Sequence, residues 1–184
     1  MRPLAVPWVL ICFGAIPSWL HELARKYPKR VSTLPWVPFL DYPQAVAWGG
    51  FDAALAPLAK HPFNEAKSNI KWLEAGLQRI PLICSSEGPY KDIPGDCAFK
   101  VENTPAQWAQ ALKVVLTDGD LRNQVKERTF TEVMDGWTVS TVGPQWVAAI
   151  ERARDKPRIL SLEDTRLPSE PQASSLTPPS EQAG

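Results

Sequence analysis

Short apolar runs alternate along this chain with longer stretches whose apolar residues recur every three or four positions, the signature of strands and helices taking turns. Trp8 to Phe13 is a continuous apolar run closed by Gly14, as a strand buried on both faces and turning into a loop would be. Pro17 and Ser18 then open a helix in which Trp19, Leu20, Leu23 and Ala24 share a face. Arg30 to Leu34 predicts a second strand, Asp41 to Trp48 a short helix, and Phe51 to Leu58 a third strand. Lys67 to Leu77 reads as a helix with Ile70, Leu73 and Leu77 on one face and Lys67 and Lys71 off it. Ile80 to Cys84 and Ala98 to Val101 predict the last two strands. Thr104 and Pro105 supply a capping hydroxyl and a first-turn proline to a helix that turns Trp108, Leu112, Val115 and Leu116 inward. Asp118 or Asp120 caps the next helix, and a final one around Gln145 to Arg154 carries Trp146, Val147 and Ile150. Such alternation predicts an α/β fold, a parallel sheet flanked by helices.

Composition sets the limits of that fold. From about Lys156 the sequence changes to Pro, Ser, Glu and Gln without aromatic residues, which predicts a disordered tail over residues 156–184 and one domain over residues 1–155. Twenty basic residues balance 20 acidic ones, so nothing in the charge points to nucleic acid. Cys12, Cys84 and Cys97 lie in apolar, strand-like surroundings without metal-ligand spacing, and read as core thiols of a reducing, cytoplasmic protein. The apolar opening is interrupted by Pro3 and Pro7, lacks a small-x-small cleavage site and is too short to span a membrane, which argues against a leader or an anchor.

The chemistry concentrates between Asp52 and Tyr90. A strand ends at Ala56-Pro57-Leu58, the loop HPFNEAKS follows, and a helix opens near Lys67 and Ser68 at the carboxyl edge of the sheet, where open α/β sheets bind ligands. A helix start there suits a phosphate or diphosphate, with Lys67 adding a full charge and Ser68 a hydroxyl. Glu74, further along the same helix, can accept hydrogen bonds from a ribose diol. The next strand ends in Ser85-Ser86-Glu87-Gly88-Pro89-Tyr90, a second loop at the same edge whose glycine permits close backbone approach.

The strings APL, FN, KS, LEA, IPLICSS and GPY, in that order, resemble the carboxyl-terminal domain of GT-B glycosyltransferases of the group 1, family 4-like type, over about Val9 to Trp146. The resemblance implies a Rossmann-like half of a two-domain enzyme that holds a nucleotide diphosphate sugar and passes its sugar, with retention, to a glycan, lipid or protein acceptor. It assigns substrate binding to Phe63, Asn64, Lys67, Ser68, Glu74, Gly88, Pro89 and Tyr90. The family places two glutamates eight positions apart; Glu74 matches the second, while Ala66 stands at the first, as in a variant branch with FN and KS in this loop. Aligned in this way, Val9 to Gly14 corresponds to the family's second strand. The first strand and the amino-terminal acceptor domain are then missing from the chain, as in a truncated member.

Other chemistries find less support. His21 and His61 have no carboxylate or cysteine spacing of a metal site, and no metal or cofactor is expected. Trp72, Trp108 and Trp146 fall in helical patterns that suit core packing, whereas Trp36 and Trp48 lie near loops. A single Gly14 after the first strand does not make the G-x-G-x-x-G of a dinucleotide enzyme, and no phosphate-binding P-loop occurs. Two readings without chemistry stay open beside the enzyme: a nucleotide-sugar-binding module and an interaction domain with a degenerate pocket.

Overall fold

A computed structural model describes residues 6–154; residues 1–5 and 155–184, including the expected tail, lie outside the described residues. The apolar opening is a strand, β1 (Leu10–Phe13), followed by α1 (Ser18–Lys26), β2 (Val31–Leu34) and α2 (Tyr42–Gly49). Then come β3 (Ala54–Ala56), a one-turn helix α3 (Pro62–Glu65), α4 (Ile70–Leu77) and β4 (Leu82–Ser85). A 3₁₀ turn (Gly88–Tyr90), β5 (Phe99–Val101), α5 (Pro105–Thr117), α6 (Gly119–Gly136) and α7 (Val139–Arg154) complete the order. The α/β architecture expected from alternation is therefore present, with every strand pair parallel.

The strands form two sheets, β1–β2 and β3–β4–β5. In the larger sheet β4 is central and fully buried, as its unbroken apolar run LIC requires of a parallel strand covered on both faces. Leu82 and Cys84 point to one face, packed with Trp72 and Ala75 of α4 and Val133 of α6. Ile83 points to the other, against Ala111 and Val115 of α5. Two buried donors tie α4 and α6 to the start of β5: the Trp72 indole N–H at 3.0 Å and the Thr129 hydroxyl at 2.7 Å both reach the Cys97 carbonyl. In the smaller sheet, Leu20 of α1 and Val31 of β2 are the buried residues.

Several boundaries differ from the sequence expectation for identifiable reasons. The helix expected from Lys67 begins only at Ile70, with Asn69 at its N-cap, because a separate helical turn, α3, occupies the loop ahead of it. That turn is nucleated by His61, whose Nδ1 accepts from the Phe63 N–H at 3.1 Å, and by Pro62 at its first position. The last helix starts at Val139 rather than near Gln145 and runs through Pro144, with its first turn closed on the Thr138 carbonyl. Of the two candidate caps for α6, Asp118 is the one used, accepting from the Leu121 N–H at 2.9 Å.

Between Gly143 and Pro144 the chain passes from one compact unit to another. The first contains all five strands and α1–α6; in the second, the described part is the rest of α7, where Trp146, Val147 and Ile150 are exposed. The core role expected of Trp146 is thus not realised, whereas Trp72 is fully buried and Trp108 packs against the α5 core. Trp36 and Trp48 are both exposed. Cys84 and Cys97 are buried free thiols and Cys12 is half-buried. Burial pushes the Cys84 thiol up to about 12 and the Cys97 thiol up to about 11, so both stay neutral near pH 7.

Candidate functional site

Parallel pairing of Ala54–Ala56 with Leu82–Cys84 brings the loops after β3 and β4 to the same carboxyl edge. They are clamped together by a closed ring of hydrogen bonds. The Ser85 hydroxyl accepts from the Leu58 N–H and donates to Asn103 Oδ1, each at 2.7 Å, while Asn103 Nδ2 donates back to the Leu58 carbonyl at 2.7 Å. Trp108 Nε1 donates to the same Asn103 oxygen at 3.4 Å. Asn103 and its bond to Ser85 are absent from the sequence expectation; the signal was its position between the last strand and the Thr104 cap, also a carboxyl-edge loop.

Gly88 fits tightly between these loops. Its φ is +57°, and a Cβ there would stand 2.8 Å from the Asn64 carbonyl oxygen and 3.0 Å from Leu58 Cδ2. The 3₁₀ turn that Gly88 opens therefore touches the β3 loop at one end, and at its other end Tyr90 feels the charges of Lys71 and Glu74. Burial, followed by nearby Cys84, raises the Tyr90 phenol above its ordinary value. Tyr90 is one of the core residues and Pro89 is half-buried beside it.

Asn64 spends its side-chain amide on the Ala59 carbonyl at 2.7 Å, which shapes the loop from within. Phe63 is exposed, with Lys67 Nζ 5.0 Å from its ring centre, and Ser68 is exposed beside them. Because α4 starts after them, Lys67 and Ser68 lie in the turn between α3 and α4 instead of on the first turn of a long helix. Glu74 forms an ion pair with Lys71 at 2.8 Å on the half-exposed face of α4, and Lys71 also lies 5.0 Å from the Tyr42 ring centre. Burial opposes the Lys71 charge, but the Glu74 carboxylate and the Tyr42 phenol together outweigh it and hold the ammonium above its ordinary pKa. Across the loops, Lys91 approaches Glu65 at 3.5 Å.

The structure thus brings Phe63, Asn64, Lys67 and Gly88 together, while Glu74 pairs with Lys71 on α4 and lies within electrostatic reach of Tyr90. A depression lined by Asp96, Glu127, Arg128 and Glu132 lies instead beside the residues that precede β5, at the amino edge. Among the described residues, no three His, Cys, Asp or Glu side chains converge as a metal-ligand set.

No protein-family model matches the chain, and no curated protein sequence matches it. Solved structures do. WaaG, a glycosyltransferase involved in lipopolysaccharide biosynthesis, superposes with a TM-score of 0.59 at 19% identity, over 77% of this chain and 37% of WaaG. TarM superposes with a TM-score of 0.54 at 11% identity, over 76% of this chain and 28% of TarM. The fold matches part of a GT-B glycosyltransferase. At these identities the likeness concerns the GT-B fold alone, and the chain spans about a third of the length of the structures it matches.

Proposed function

We propose that this chain is the donor-binding half of a GT-B glycosyltransferase, acting on a nucleotide diphosphate sugar and, with an acceptor-binding half outside these residues, passing the sugar with retention to a glycan, lipid or protein. Residues 1–155 would form that half. The observation that carries the reading is the clamped pair of carboxyl-edge loops: Gly88 against the Asn64 carbonyl, Lys67 and Ser68 exposed at their rim, and Glu74 within electrostatic reach of Tyr90. A flexible cation and a hydroxyl at such an edge suit a diphosphate, and a carboxylate one helical face away suits a ribose diol. Phe63 and Pro89 then serve as apolar walls, while Asn64, Gly88 and Tyr90 shape the loops through the backbone and the core. Buried thiols fit a reducing, cytoplasmic setting, and among the described residues no helix is long and apolar enough to cross a membrane.

Titration of the purified chain with UDP, GDP, ADP and their sugar conjugates tests the proposal. Saturable binding is expected, weakened about 10-fold or more by Glu74→Ala, the loss of charge-assisted bonds worth roughly 1.5–3 kcal/mol, and weakened also by Lys67→Ala. Absence of binding by every nucleotide would overturn the reading. A second reading, binding without transfer, is favoured by Ala66, which stands where the family has its first glutamate, and by Glu74 being already paired with Lys71. Nucleotide-sugar binding with no hydrolysis or transfer in the presence of candidate acceptors would select it.

A further inference from the structure

Ser85 is the last residue of β4, and its side chain is fully buried. Its hydroxyl meets Leu58 and Asn103, which stand two residues beyond the ends of β3 and β5. Donor and acceptor chemistry leaves this ring one arrangement of protons. Because the Leu58 N–H points into Ser85 Oγ, that oxygen accepts there, and its own proton goes to Asn103 Oδ1. The Trp108 indole of α5, a donor only, also faces Oδ1. The Leu58 carbonyl, an acceptor only, takes Nδ2. Position 103 therefore needs an acceptor towards β4 and α5 and a donor towards the β3 loop, within one planar group. The carboxamide of asparagine supplies both, whereas an aspartate would set a second acceptor against the Leu58 carbonyl.

The strands are joined without this ring: parallel ladders hold β3 to β4 and β4 to β5, and an apolar cluster covers each face. Asn103 is itself exposed, so it contributes little burial. What it fixes is Leu58, the root of the β3 loop. The next residue, Ala59, accepts from Asn64 Nδ2 at 2.7 Å through its carbonyl. The Asn64 carbonyl accepts in turn from the Lys67 N–H at 3.3 Å. Leu58 and Asn64 are also the two residues against which Gly88 closes. A line of hydrogen bonds and peptide links thus runs from Asn103 to Lys67, whose ammonium rests beside the Phe63 ring. A loop fixed in this way before a ligand arrives has less conformational freedom to lose on binding.

We propose that Asn103 is a positioning residue of the donor site: its carboxamide, acting through Leu58, holds the β3 loop, and with it Phe63 and Lys67, in the form that meets a nucleotide diphosphate. The assignment rests on the donor-binding reading above and adds to it a residue from the third carboxyl-edge loop. The amide donor is the indispensable part, because the Leu58 carbonyl has no other side-chain partner in the ring. The groups that meet Asn103 are a hydroxyl, a main chain and an indole, none of which carries charge. The neighbouring Glu102 carboxylate is bonded to Gln107 Nε2 at 3.0 Å.

The test is titration of the full chain and its variants with UDP, GDP and ADP, with the thermal midpoint and the amide resonances of Leu58, Asn64 and Lys67 recorded alongside. Asn103→Asp keeps the shape and the acceptor and loses the donor; Asn103→Ala removes both and adds no charge. Each should weaken, by about tenfold, the nucleotide that the unaltered chain binds, and should shift those three resonances. In a Lys67→Ala background the further loss from Asn103→Asp should be clearly smaller, since the loop then has no Lys67 charge to place. Unchanged affinity in both variants overturns the assignment, even with a lowered midpoint, because Asn103 would then serve the fold alone. Weakening by Asn103→Asp but not by Asn103→Ala overturns it too, as repulsion of the phosphates would account for the loss. So does an equal loss with and without Lys67. Absence of binding by the unaltered chain is a different failure: the donor-binding reading falls, and the role of Asn103 with it.

Discussion

At Gly88 the two loops of the candidate site approach so closely that the α-carbon has room for hydrogen only. A methyl group there would meet a backbone oxygen, which cannot swing aside as a side chain does, and the positive φ adds strain of its own. Gly88→Ala should therefore destabilise the fold by roughly 1–3 kcal/mol and move the β3 loop. A fall in thermal midpoint measured by calorimetry, together with shifted amide resonances at Leu58 and Asn64, checks both effects; an unchanged midpoint would count against the clamp. At this scale the sequence was informative about which residues meet and less so about what they do. Gly88 was legible as a close approach because glycine has few other uses at a strand end. The side chains of Asn64 and Tyr90 are engaged by Ala59 and by the core, facts that depend on partners distant in sequence or on a loop conformation that residue type does not specify.

The strands and helices were easier to read than their ends. β4 and its neighbours stand where apolar runs predicted them, because burial on two faces leaves little choice of residue. The loop between β3 and α4 departs from its expected form for a local reason: His61 capping and Pro62 make a helical turn of their own, which delays α4 to Ile70 and leaves Lys67 and Ser68 outside it. Helix packing supplies a further expectation. Gly76 of α4 faces α6 so closely that an added Cβ would stand 2.9 Å from Thr129 Cγ2 and 2.9 Å from Val133 Cγ2. Both neighbours are buried, and the Thr129 hydroxyl is held at 2.7 Å by the Cys97 carbonyl. Overpacking of that kind costs roughly 1–3 kcal/mol, against about 1 kcal/mol gained from the better helix propensity of alanine. Gly76→Ala should lower the denaturant midpoint; a midpoint raised by the propensity gain would show that α4 and α6 can separate without penalty.

Across the whole molecule, the larger sheet's core keeps two thiols neutral, and this links its stability to alkaline pH. Cys84 and Cys97 have an ordinary thiol pKa of 9.0, and in the fold burial raises them to about 12 and about 11. Between those values the unfolded chain loses the protons while the folded chain keeps them. The unfolded state then binds fewer protons, so unfolding becomes more favourable as pH rises. The contribution is fully present below pH 9 and is lost progressively as pH climbs toward 11 and 12. Lysines and tyrosines titrate over the same range, which makes the comparison with a variant the decisive measurement. Cys84→Ala combined with Cys97→Ala should show a shallower fall of thermal midpoint between pH 9 and 11 than the unaltered chain. Parallel slopes would mean that both thiols reach solvent before the fold is lost, and that the β4 and β5 ends of the sheet open locally. The same opening would expose these cysteines to alkylation at neutral pH, whereas an intact core leaves half-buried Cys12 as the thiol that reacts first.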